Sequence, residues 1–204
     1  AIPIKQFKKI RKIFKEKYIK INGKYINEIY LKASKKDIYK INTFRTLNEL
    51  KFIEYPKLGF LELDKITKKI INLNGGILLI DYGYLNKLEK NTLQAVMKNR
   101  KIKIESLIQN FGKADITSLV NFGLLKEYFS KCNLKVMKIV TQKYFLERMG
   151  IVKRAKILEK NMTSSQKDYI SSTLNRLLNK QLMGELFKVI FAYKHSKNNF
   201  FGFK

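Results

Sequence analysis

A chain of 204 residues can bury an ordinary core without disulfide or metal staples, and 45% hydrophobic with 12% aromatic residues argues against disorder. Lys and Arg number 43 against 16 acids, a net charge of +27 that would draw nucleic acid or an anionic membrane. Yet 37 of the 43 are Lys, beside 25 Ile and 17 Asn, the residue set of A/T-rich codons, and the lysines run from end to end rather than massing on one element. Arg, whose planar fork grips phosphate and base edges, is scarce, so the patterning argues against a specific nucleic-acid partner.

The opening Ala1, Ile2, Pro3, Ile4, Lys5, Gln6, Phe7 has no initiator Met and no secretory pattern, so the chain is expected to begin within a domain. Tyr18–Ile21 and Lys24–Asn27 read as two strands around Asn22 and Gly23, a dipeptide suited to a tight hairpin with both residues at positive φ. After Pro56, Leu58, Leu61, Ile66 and Ile70 recur at helical spacing, and Asn74, Gly75 and Gly76 mark the stop. The short apolar run Ile77–Ile80 reads as a strand buried on both faces. No apolar run approaches the roughly 18 residues of a membrane-spanning helix.

Asp81, Tyr82 and Gly83 follow at the expected strand end, where open α/β sheets bind ligands. They form either a pocket wall or a local turn in which Asp bonds backbone and Gly permits the bend. Phe122, Leu124, Leu125, Tyr128 and Phe129 have amphipathic helical spacing, Leu134–Thr141 alternates like a strand, and Tyr144, Phe145, Leu146 and Met149 form a helix stopped by Gly150. Thr163 with Gln166 makes a capping box for a long helix through Ile170, Leu174, Leu177 and Leu178, and Leu186–Phe191 reads as a late strand. No linker interrupts the chain, and the mixed order of helices and strands gives an α/β fold class. Cys132 reads as a small structural side chain and His195 as solvated, so neither supplies a nucleophile or metal site, and no metal is expected.

The ordered set of Gly75 through Gly83, then Thr92, Leu93, Gln94, Ala95, then Gly112, Asp115, Ile116, Thr117, Val120, Asn121, Phe122 carries a resemblance. It continues with Gln142, Phe145, Leu146, Gly150, Ile151, Arg154 and closes with Arg176, Leu177, Met183, Gly184, Leu186, Phe187, Lys188, Val189, Gly202 and Phe203. Together they resemble the MidA-type family of class I S-adenosylmethionine (SAM) dependent methyltransferases, whose mitochondrial members assist complex I assembly and methylate arginine on a complex I subunit. The resemblance implies the C-terminal part of a Rossmann-like sheet with a β-hairpin insertion. It makes residues 1–204 one truncated domain, with a strand-rich hairpin region over 1–56 and the later strands and helices over 57–204.

SAM is then the implied cofactor and a protein, such as a complex I subunit, the implied substrate, in the bacterial cytoplasm or the mitochondrial matrix. The Gly-rich cofactor loop and an Asn-Glu element are expected upstream of Ala1, so the missing N-terminal half or another chain is an implied partner. The Ile77 strand should then show an unpaired edge, and the chain alone should be inactive. Catalytic and cofactor-binding residues are not assigned. Asp81, Tyr82, Gly83, Asp115 and Thr117 are the candidate substrate or cofactor pocket, with Asp115 alternatively capping a helix or turn that begins at Thr117. The family's Val-Asp-Phe is Val120, Asn121, Phe122 here, which removes a charge while keeping an acceptor oxygen. A noncatalytic assembly protein on the same fold and a Lys-rich nucleic-acid module are the alternative functions.

Overall fold

The computed structural model describes residues 3–23, 25–98, 100–103, 106, 110, 112–195 and 200–203. The chain divides into two compact units, residues 1–66 with 86–119 and residues 67–85 with 120–204.

In the first unit β1 (Lys5–Ile10), β2 (Ile13–Asn22), β3 (Tyr25–Lys32) and β4 (Phe52–Tyr55) form an antiparallel sheet in the order β3-β2-β1-β4. The expected hairpin is β2–β3, but Asn22 pairs with Tyr25, so Asn22 closes the strand and the loop shifts by one residue. Gly23 takes the positive φ of 58° there, and Lys24 lies outside the described residues. Helices α1 (Lys35–Asn42) and α2 (Arg45–Asn48) follow, and α3 (Lys57–Asn72) is the helix expected after Pro56. Its stop is Asn74, whose φ of 51° is the left-handed conformation Asn tolerates.

Phe7, Phe14, Ile41, Leu47, Leu50 and Ile53 make the first core, joined by Phe44, Tyr55 and Phe60 with ring centroids 5.4–6.3 Å apart. Burial first, then the charges of Asp37 and Asp64, pushes the Tyr55 phenol up to about 12. A small second sheet has the order β7-β6-β8, from β6 (Gln94–Met97), β7 (Arg100–Ile102) and β8 (Asp115–Thr117).

In the second unit β5 (Gly76–Tyr84) and β12 (Phe187–Tyr193) pair antiparallel from Gly76↔Tyr193 to Tyr82↔Phe187. On its other edge β5 meets β9 (Val120–Asn121) in parallel, at Gly83 and Tyr84 alone among the described residues. The expected strand over Leu134–Thr141 is two short pieces, β10 (Lys135–Val136) and β11 (Val140–Thr141). Both pair with β12, and the Met137 N–H donates to the Phe191 carbonyl between them.

Helix α4 (Phe122–Lys131) buries the five apolar residues read from its spacing. Helix α5 (Gln142–Arg148) stops before Gly150, whose φ of 84° starts a helix the sequence reading lacked, α6 (Ile151–Glu159). Helix α7 (Ser164–Leu178) carries the capping box of Thr163 and Gln166 with both bonds made. Rings of Phe191, Tyr193, Phe200 and Phe203 pack at 4.7–6.1 Å and tie the last described residues to the sheet. The fold class is α/β as expected.

The Ile77–Ile80 run is not buried on both faces, since Leu78 is 45% and Ile80 is 42% exposed. They share the face of their cross-strand partners Phe191 and Val189, but no described strand flanks β5 beyond them from Gly76 to Tyr82. The apolar run has the composition of a central strand in the position of an edge.

Candidate functional site

Asp81, Tyr82 and Gly83 do not follow the strand but lie inside it, because β12 and β9 continue the ladder through them. The Oδ1 of Asp81 accepts the next backbone N–H, that of Tyr82, at 2.8 Å. The Tyr82 ring packs edge-on against Phe187 at 5.6 Å. Opposite Asp81 stands Lys188, half-buried, with its Nζ donating to the Glu185 carbonyl. Burial pushes the Lys188 ammonium below its ordinary range, against the opposing pull of Glu185. Gly83 is buried against the Val120 carbonyl, and an added Cβ would come 2.8 Å from two carbons of the Phe122 ring. Gly83 is therefore a close-packing residue.

The other candidates lie in the first unit. Asp115 and Thr117 belong to β8 rather than to a loop, and no helix begins at Thr117, so the capping alternative is corrected. Strand β8 pairs with β6 so that Val96 faces Asp115 and Gln94 faces Thr117, bringing together two of the sequence stretches singled out above. Asp115 is exposed, whereas the Thr117 Oγ1 is buried with no hydrogen-bond partner among the described residues. A buried hydroxyl without a partner is costly and points to a ligand or water.

Beside this pair is a polar network that sequence reasoning missed. Gln6 Nε2 donates to Glu54 Oε1 at 2.8 Å and to Asn91 Oδ1 at 2.7 Å. The Thr92 N–H donates to Glu54 Oε1 at 2.9 Å and its hydroxyl to Oε2, while that hydroxyl accepts the Leu119 N–H at 3.0 Å. Both carboxylate oxygens of Glu54 are thus engaged in fixing the segment that enters β6. The partners lie 27 to 85 residues apart, so no local pattern could have announced them.

A second cluster of this unit joins Lys5 to Glu16 at 2.7 Å and to Asp37 at 2.9 Å, with Lys57 on Asp37 at 2.7 Å. Burial opposes ionisation of Asp37, but the hydrogen bonds from Lys57 and Lys5 outweigh it and hold the carboxyl below the usual range.

In the second unit Asn121 explains the lost charge. It is the N-cap of α4, with its Oδ1 accepting the Leu124 N–H at 3.0 Å. Asn and Asp cap equally well, so Asn121→Asp should leave stability nearly unchanged while Asn121→Ala should cost about 1 kcal/mol. Urea unfolding of the two variants checks this, and a larger loss for the Asp variant would contradict the capping role. Gln142 is likewise structural, its Nε2 donating to the Leu177 carbonyl at 2.9 Å and tying α5 to the end of α7.

Whether these residues fit SAM can be asked group by group. Thr117 offers a buried hydroxyl with no partner among the described residues, but Gly83 faces protein, and Gly23, Gly112 and Gly150, with open space around the missing Cβ, stand at separate positive-φ turns. The described residues form no nucleotide cradle. Among the described residues there is also no group of three or more His, Cys, Asp or Glu able to hold a metal ion.

The sequence profile of a family described as S-adenosyl-L-methionine-dependent methyltransferases matches residues 1–140. The mitochondrial protein arginine methyltransferase NDUFAF7 of Danio rerio is 22% identical over 189 residues, which are 92% of this chain and 44% of that protein. Its Mus musculus counterpart is 27% identical over 143 residues, 70% of this chain and 31% of that protein.

A COG1565 superfamily protein from Burkholderia thailandensis, solved with S-adenosyl-homocysteine, superposes on 100% of this chain and 53% of its own. The TM-score is 0.72 at 18% identity. A native structure from the same organism gives 0.71 at 16% identity, with 98% and 54% covered. The chain thus spans about half the length of the solved relatives and less than half of the curated ones.

Proposed function

The chain belongs to the S-adenosyl-L-methionine-dependent methyltransferase family whose profile its residues 1–140 match, and from that premise we propose that it forms the later part of a protein arginine methyltransferase. The cofactor of the family is SAM. The arginine specificity is drawn from the names of the curated relatives. A complex I subunit is the proposed substrate, from the resemblance alone, with the mitochondrial matrix or a bacterial cytoplasm as the setting.

The observation that carries the reading of a partial enzyme is β5. It is an apolar strand with Leu78 and Ile80 exposed and with no described neighbour along one edge from Gly76 to Tyr82. An edge of this kind is stable once another strand covers it. We assign that strand, and the Gly-rich SAM loop absent from this chain's ten glycines, to sequence outside the 204 residues. Thr117 is kept as a ligand contact because its hydroxyl is buried and has no partner among the described residues. When bound, SAM supplies an electrophilic methyl on sulfur, and the part of the protein is to position the acceptor.

Calorimetric titration with SAM tests this. The chain alone should give no saturable heat, whereas the same chain together with a Gly-rich earlier half from a relative should bind stoichiometrically and gain thermal stability. It should then add methyl groups to arginine in a protein substrate. Saturable binding by the chain alone would overturn the placement of the cofactor site. Binding without any methyl transfer would favour an assembly protein on this fold.

A further inference from the structure

The β2–β3 hairpin outruns its sheet. Strand β1 pairs with β2 only as far as Glu16, while β2 and β3 stay paired from Lys15↔Lys32 to Asn22↔Tyr25. Residues 17–22 and 25–30 therefore form an arm two strands wide, about 20 Å long at about 3.3 Å per residue. Pairing sorts its side chains, with Tyr18, Lys20, Asn22, Tyr25, Asn27 and Ile29 on one face and Lys17, Ile19, Ile21, Ile26, Glu28 and Tyr30 on the other.

Each face carries exposed apolar side chains toward the tip. Ile19 is 50% and Ile21 62% exposed on one, and Tyr18 43% and Tyr25 76% on the other. A two-stranded ribbon without backing is marginal in water, and the exposed isoleucines on one face and tyrosines on the other add to that cost. Its charge is basic. Glu28 is the one acid in the sequence between 17 and 30, and Lys17 pairs with it, leaving Lys20 exposed toward the tip.

We propose that the tip of this arm enters an anionic lipid surface. A tip pushed into the headgroup and acyl boundary takes up both faces at once, which a protein surface or a strand added to β3 would not. Isoleucine suits the acyl side, tyrosine the interface, and a lysine on a long stem reaches back to anionic headgroups. A second copy is disfavoured because each chain carries +27. Nucleic acid would stack on the tyrosine face and leave Ile19 and Ile21 without a role. The inference does not rest on the methyltransferase reading.

The chain has no Trp, so Tyr25→Trp places a sole indole at the tip. With vesicles of phosphatidylcholine and phosphatidylserine at physiological salt, its emission should move to shorter wavelength and be quenched by acyl-brominated lipid. Phosphatidylcholine alone should give much less. A matching Tyr169→Trp in α7, a site 73% exposed, should show neither effect. Adding Ile19→Ser and Ile21→Ser to Tyr25→Trp should weaken partitioning about tenfold, since binding scales with buried apolar area. These two side chains are half exposed or more, so the hairpin fold, read by circular dichroism, should persist.

The same shift at positions 25 and 169 would mean adsorption by net charge alone and would overturn the proposal. No shift at position 25 would overturn it as well, because the arm would then be covered otherwise or stand free. So would a shift at position 25 given by single-stranded nucleic acid and not by vesicles.

Discussion

Gly83→Ala is expected to cost about 3 kcal/mol or more, at the upper end of overpacking effects. The added methyl would run into the Val120 carbonyl and the Phe122 ring, and these are the parallel partner of β5 and the first residue of α4. A backbone carbonyl in a strand cannot step aside as a flexible side chain can, so β9 must move or the β5–β9 pairing must break. Gly150→Ala is the instructive contrast. Gly150 has a φ of 84° and open space around its missing Cβ, so its loss is confined to backbone strain of about 1 kcal/mol. Urea unfolding of both variants should rank Gly83→Ala as much the more damaging. A smaller loss for Gly83→Ala than for Gly150→Ala would refute the close-packing role.

Asp37→Asn should be the second most damaging change, because one carboxylate serves both Lys5 and Lys57. Removing one partner of a fully buried pair costs about 3–5 kcal/mol. Both lysine side chains are about a third exposed and can turn toward water, so about 2 kcal/mol is expected once that screening is allowed for. The substitution also removes the negative charge from the first turn of α1.

The pH dependence has a fixed sign. The folded pKa of Asp37 lies below its unfolded value of about 3.9. Its contribution is therefore complete above that unfolded value and is lost as pH falls through the folded one. The gap between parent and variant should be widest near neutrality and close in acid. An equal gap at pH near 7 and in strong acid would show that Asp37 acts through packing rather than charge.

Several of these elements were legible in the chain because their cause is local. Thr163 and Gln166 make their capping box within one helical turn, Asn74 ends α3 through its own φ, and Gly23 takes the positive φ in the two-residue loop of the hairpin. The apolar stripe of α4 buries the five residues that its spacing marks. In each case the deciding hydrogen bond or contact joins residues a few positions apart, and sequence order is a good proxy for space. The family was legible for a related reason, since it is written in the order of short motifs and needs no knowledge of how they meet.

The site was not legible in this way. Asp81, Tyr82 and Gly83 read as the residues after a strand, but partners more than a hundred positions away on β12, and Val120 on β9, extend the strand through them. Asp115 and Thr117 read as loop or cap because three residues show no alternation, and only pairing with Gln94 to Val96 makes them a strand. Gln6, Glu54 and Thr92 are ordinary polar residues until three distant segments fold together. The charge of +27, the β2–β3 hairpin with Gly23 in its turn, the capping box of α7 and the family were determined by the sequence alone. The edge position of β5, the buried hydroxyl of Thr117, the Asp37 cluster and the bare arm of β2 and β3 were decided by tertiary structure, because each depends on which distant backbone or side chain arrives beside it, and that is a property of packing rather than of neighbouring residues.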